Sequence, residues 1–179
     1  MKLIDRSDIY LKENLDVLFV ALNPPVQSNS NGHYFSGSNS TFFKQLYLSG
    51  LTTENIDKSI ADAIVFGGNK YNYKNKNYGV IDLLPHVEET NSGNVMVKDT
   101  DILSLIEKIK KYKPKYVCII HSKVMKPLSK IIKRNLKYGY NGKLFNSMDT
   151  EFYCNYFPNG NPISNETKLS IYAELRDKL

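Results

Sequence analysis

Apolar positions along the chain fall into short blocks separated by polar stretches rich in Asn, Gly and Pro. Leu15–Leu22 (LDVLFVAL) is almost continuously apolar and stops at Asn23-Pro24-Pro25, which predicts a buried, parallel strand ended by a proline turn. Residues 26–40 are polar, contain Gly32 and Gly37, and read as a long loop of the kind that usually carries function. Phe42, Phe43, Leu46 and Tyr47 then recur at helical spacing, predicting a helix over Thr41–Ser49 ended by Gly50. Thr53–Val65 suggests a further helix, and Gly67–Tyr78 an exposed loop with Lys70, Lys74 and Lys76. Gly79–Leu84 (GVIDLL) is a second apolar strand stopped by Pro85, followed by an irregular stretch over 86–97.

The second half repeats the alternation. Ile102, Leu105, Ile106 and Ile109 mark one face of a helix that Lys113-Pro114 ends, and Tyr116–Ile120 (YVCII) reads as a third buried strand. Val124, Met125, Leu128, Ile131 and Ile132 give another helix, which Pro127 either opens or kinks. Lys143–Asn146 and Glu151–Phe157 are the remaining strand candidates. After the Pro158–Ser164 loop, Leu169, Tyr172, Leu175 and Leu179 mark a closing helix. The pattern predicts an α/β fold: one three-layer domain over 1–179, with a central, mainly parallel β-sheet flanked by helices. In such a sheet the ligand lies beyond the carboxyl ends of the strands. The loops Asn23–Ser40, Asp82–His86, His121–Ser122 and Pro158–Ser164 would gather there.

Composition narrows the class. With 179 residues, 41% hydrophobic and 23% charged, the chain suits one globular domain. No apolar run is long enough to span a bilayer, and Met1–Lys12 lacks a signal-peptide core, so an intracellular, cytoplasmic protein without a membrane partner is expected. Cys118 and Cys154 sit in strand-like surroundings and read as buried thiols. His33, His86 and His121 have no metal-ligand spacing, so neither metal nor cofactor is expected. The net charge of +6 is concentrated: from Lys110 to Lys137 there are ten basic residues and no acidic one. Such a stretch attracts phosphate, or simply solvates two helices.

No Ser-His-Asp or Cys-His arrangement, phosphate-binding glycine loop or carboxylate pair presents itself. Two Asn-Pro turns each follow a strand, at Asn23-Pro24-Pro25 and within Pro158-Asn159-Gly160-Asn161-Pro162. The first of these, ALNPP, followed by GHYFSGSNSTFFKQLYLSGL, resembles the first motif of the uracil-DNA glycosylase superfamily. It is closest to the mismatch-specific uracil/thymine branch, whose pattern is GINPG followed by a helix beginning like NRFWK. GVIDL resembles that branch's next strand, NGNPIS falls where it has NPSGLS, and IYAELRDKL resembles its closing helix.

The resemblance implies a monofunctional DNA glycosylase. Asn23 would position the attacking water, since an amide orients water but scarcely deprotonates it. The oxocarbenium character of the sugar tolerates a weak nucleophile. Phe35 would stack on the flipped base, with Tyr34 beside it, and Asn159 would face the base. Ile163 would wedge into the duplex, and Asn161 and Ser164 would lie at the DNA backbone. Ser164 also reads as the cap of the last helix. Lys123 and Lys126 are candidate phosphate contacts. Asp82 stands where some relatives have a base-reading Asn, or is a loop cap. Ionised, it would only accept hydrogen bonds, which leaves a hypoxanthine preference open beside uracil. His121 either satisfies a local hydrogen bond or reaches the site. Gly160, Asn161 and Pro162 depart from the family's Pro, Ser and Gly, which leaves open a catalytically silent module binding single-stranded or damaged DNA, and a nucleosidase. The implied partner is DNA, double-stranded with a damaged or mismatched base or single-stranded, met by a monomer.

Overall fold

The structure is a computed structural model describing Met1–Leu179. Its centre is a five-stranded sheet built from β1 (Val17–Ala21), β2 (Tyr78–Asp82), β3 (Tyr116–Ile119), β4 (Gly139–Lys143) and β5 (Glu151–Cys154). The strands lie in the order β2-β1-β3-β5-β4. All neighbouring pairs are parallel except β4–β5.

The period-two alternation of β1 divides the interior into two layers. Val17, Phe19 and Ala21 face a cluster containing residues of α2 (Phe42–Leu48), α3 (Ala61–Val65) and α6 (Asn165–Asp177). Leu18 and Val20 face the opposite cluster, with α4 (Asp99–Tyr112) and α5 (Ser122–Ile131). The fold is thus three-layer α/β with a mostly parallel central sheet, as the strand–helix alternation predicts. Both cysteines are buried and unpaired, and no helix is long and apolar enough to cross a membrane.

Several elements differ from the sequence expectation. Residues 26–40 contain a helix, α1 (Val26–Asn31), capped by Gly32 at φ +75°. A Cβ at Gly32 would lie 2.4 Å from the Met1 carbonyl oxygen. The apolar pattern does not mark this helix, because the side chains it buries, Ser28 and Asn29, are polar. Asn29 Oδ1 accepts from the Ile4 amide, and its amide donates to Glu88. Helical periodicity counts apolar positions and is blind to such a face.

Of the predicted 53–65 helix only Ala61–Val65 forms. Thr52 bridges Asn72 instead, and Asp57 caps its own turn through the Ser59 amide. The strand expected at Lys143–Asn146 runs earlier, over Gly139–Lys143, where a bulge between Tyr140 and Gly142 breaks the alternation. Pro127 lies inside α5 and does not open it.

Candidate active site

The carboxyl ends of β1, β2, β3 and β5 open into a cavity of about 570 Å³. Asn23, Phe35, Asp82, Asn159 and Asn161 all line it, as does His121. These residues lie up to 138 positions apart in the chain, and the parallel strands bring them together because every such strand delivers its following loop to the same edge.

Asn23 follows β1 by two residues and is buried. Beyond the strands, the Leu83 and Leu84 amides donate to the carbonyls of Ala21 and Leu22, at 2.9 and 2.8 Å. This continued pairing brings the chain after β2 alongside the Asn-Pro turn. There the Asn23 amide nitrogen donates to the carbonyls of Val87 at 2.9 Å and Glu89 at 2.8 Å. Two carbonyls can be met only by the NH₂ group, so the side-chain orientation is fixed. Oδ1 has no protein partner and is left as a hydrogen-bond acceptor.

Phe35 adopts φ +54°, a left-handed conformation uncommon for a bulky residue. It stacks on Phe42 with ring centroids 4.0 Å apart, while also lining the cavity. The loop around it is heavily tied. The fully buried Asp62 carboxyl accepts from the Tyr34 amide at 2.9 Å and meets His33 Nδ1 at 2.8 Å. The Lys58 ammonium donates to the carbonyls of Gly37 and Ser38, at 2.7 and 2.6 Å. Asp62 and Lys58 were not legible as site residues, because the sequence does not show that 58–62 packs under this loop.

Asp82 ends β2 opposite Ala21 and is 4% exposed, and its carboxyl has no hydrogen-bond partner in the protein. Burial, and then the negative charge of Asp8, push its carboxyl up to about 7. Near neutrality the group is therefore divided between an acceptor-only carboxylate and a carboxylic acid that both donates and accepts.

His121 caps α5, its Nδ1 accepting from the Lys123 amide at 3.0 Å. Burial, and then the Lys123 charge, lower its imidazole to about 4. It is neutral, and with Nδ1 an acceptor its proton sits on Nε2. It satisfies a local hydrogen bond and also lines the cavity.

The last loop hangs on one carbonyl. Pro158 O accepts from Gln45 Nε2 at 2.9 Å, Thr41 Oγ1 at 3.1 Å and the Lys168 ammonium at 2.9 Å. Gln45 stands on the buried face of α2 among Phe42, Phe43 and Leu46, a polar intrusion that the sequence did display. Gly160 takes the left-handed φ, +75°. The Asn161 amide folds back onto Phe157 O at 2.8 Å.

Other expected DNA contacts stand outside the cavity. Ser164 caps α6, accepting from the Thr167 amide at 3.2 Å. Ile163 is half-buried and Lys126 exposed, both beyond the cavity wall. The Lys123 ammonium donates to the carbonyls of Ser92 and of Val95, the latter at 2.8 Å. Those bonds occupy the charge in fastening the 92–95 turn to α5. No group of three or more His, Cys, Asp or Glu side chains is placed to hold a metal ion.

Comparison with curated proteins finds no match to this chain. The model of the Uracil DNA glycosylase superfamily matches residues 9–171, which include every cavity residue discussed above. That match covers most of the chain, and the chain belongs to the uracil DNA glycosylase superfamily.

Proposed function

We propose that the protein is a monofunctional DNA glycosylase that removes a deaminated base, uracil in a mismatch or a related lactam base such as hypoxanthine, by water-mediated hydrolysis. The observation that carries this reading is the fixed Asn23 side chain, whose amide is held by Val87 O and Glu89 O and whose Oδ1 is free to accept from a water. In the reaction the C1′–N bond breaks with its electron pair leaving on the base. The water oxygen then bonds to C1′, and its proton passes to solvent or to the departing base. Asn23 orients that water without needing to deprotonate it, because the sugar already carries oxocarbenium character. Phe35 stacks on the flipped base, and the neutral His121 offers an N–H donor at the cavity wall. No lysine lines the cavity, which supports attack by water rather than by an amine. The mismatch-specific branch rests on the likeness of ALNPP and STFFK to that branch's motifs.

Asp82 favours the lactam reading. Uracil and hypoxanthine each present an N–H beside a carbonyl, and a protonated Asp82 matches that edge with an acceptor and a donor. Contact of Asn159, Asn161, Ile163 and Ser164 with base and backbone completes the reading, on the likeness of the last loop to that branch's motif. Lys126 would lie near phosphate.

The test is cleavage of labelled oligonucleotides bearing G·U, G·T, A·U, single-stranded U and hypoxanthine opposite T, with alkali to reveal abasic sites. Abasic product from at least one substrate is expected. Binding without product across the panel would overturn the enzymatic reading in favour of a silent DNA-binding module.

A further inference from the structure

Tyr138 and Tyr156 stack on each other with ring centroids 3.6 Å apart and planes 16° from parallel. Both line the same cavity as Asn23 and Phe35, and both stay partly exposed. The antiparallel course of β4 puts them there. Its first residue, Gly139, pairs with Cys154, the last residue of β5. The amino end of β4 therefore lies at the carboxyl edge of the parallel strands, and Tyr138 enters the site from the one strand that runs the other way. The Tyr156 backbone amide donates to Oδ1 of the adjacent, buried Asn155 at 2.8 Å.

We propose that the Tyr138–Tyr156 pair is a second nucleobase subsite, which receives the base of a nucleotide adjacent to the target in a single strand; this rests on the glycosylase reading above. Three spacings between neighbouring strands separate β2, which carries Asp82, from β5, or roughly 14 Å. The cavity of about 570 Å³ has room for more than one base, so a base met by Asp82, Phe35 and Asn159 leaves the tyrosine pair available to a second. Stacked aromatic rings suit any base, since every base has a π-face. Phosphate chemistry belongs at the rim: no lysine or arginine lines the cavity, while Lys137 beside Tyr138 and Lys126 on α5 are exposed. A neighbouring base in duplex DNA stays stacked in the helix, so only an unpaired strand can lay a second base here. The subsite therefore predicts an added contact to single-stranded substrate that a mismatched duplex does not make.

The test measures binding by fluorescence anisotropy, using single-stranded oligonucleotides whose target deoxyuridine carries a 2′-fluorine to resist hydrolysis. In a second set the nucleotide on the 5′ or the 3′ side is replaced by a tetrahydrofuran abasic unit. Loss of the neighbouring base on one side is expected to weaken wild-type binding by about five- to one-hundred-fold. That difference should vanish in the Tyr138→Leu/Tyr156→Leu double variant. Equal wild-type affinity for all oligonucleotides overturns the subsite, and this comparison needs no variant to fold. Cleavage of unmodified oligonucleotides separates the two claims. A protein that cuts without sensing the neighbour is a glycosylase lacking the subsite. One that senses the neighbour without cutting has the subsite and refutes the glycosylase reading.

Discussion

His33 Nδ1 lies 2.8 Å from Asp62 Oδ1, and the second oxygen of the same carboxyl accepts the Tyr34 amide at 2.9 Å. A single buried side chain thereby sets the path of the backbone immediately before Phe35. The left-handed φ of Phe35 persists because its neighbours on both sides are tied down, Tyr34 by Asp62 and Gly37 by Ser28 and Lys58.

Replacing Asp62 with Ala leaves the Tyr34 amide without its partner and frees the loop. A loss of about 2–4 kcal/mol in urea denaturation is expected. Activity should fall further than stability alone explains, because Phe35 loses its placement. A variant as stable and as active as wild type would show that the loop is held by other contacts.

Asn23→Ala removes the oxygen proposed to position the water and also abandons the carbonyls of Val87 and Glu89. Single-turnover cleavage should fall by at least about 100-fold, while oligonucleotide affinity changes little. Normal cleavage by the variant would place the nucleophile elsewhere.

Under the proposed function, Asp82 would link base recognition to pH. Its carboxyl is raised in the folded protein to about 7, so the protonated form is retained there at pH values where the unfolded chain has already ionised. Folding then binds a proton, and stability declines as pH rises from the ordinary carboxylate range through about 7. Asp8, near Asp82 and paired with Lys108, contributes the neighbouring charge. Asp82→Asn should stabilise the protein at pH 8 and give little gain at pH 4, as read by thermal melts at the two values. With a lactam base, wild-type kcat/KM should decline as pH rises through about 7, and the variant should lose that step. An unchanged pH profile in the variant would separate Asp82 from base recognition.

Gln45→Ala removes one of the three donors on Pro158 O. The expected cost is about 1 kcal/mol in stability. A higher KM should accompany it, because the loop bearing Asn159 and Asn161 loosens, while kcat stays closer to wild type. Steady-state kinetics distinguish this from a kcat loss, which would instead place the loop in the chemical step.

The sequence by itself determined the four parallel strands of the sheet and the first wall of the candidate site. The apolar blocks around Phe19, Ile81, Cys118 and Phe152 are all strands, because burial on two faces forces continuous hydrophobicity. The Asn-Pro turn then follows the first of them, since a proline pair cannot continue a strand. That much is local chemistry. Tertiary structure decided what polar side chains do, because their partners are distant in the chain. Asn29 buries itself in a helix with no apolar stripe, Asp62 reaches back across 28 residues to Tyr34, and Lys123 turns to backbone carbonyls instead of solvent. It also decided the protonation of Asp82, which follows from exclusion of water by the whole fold rather than from its neighbours in sequence. Strand β4 belongs to the same class: two glycines and a bulge erase its alternation, and only its pairing with β5 carries Tyr138 to the cavity.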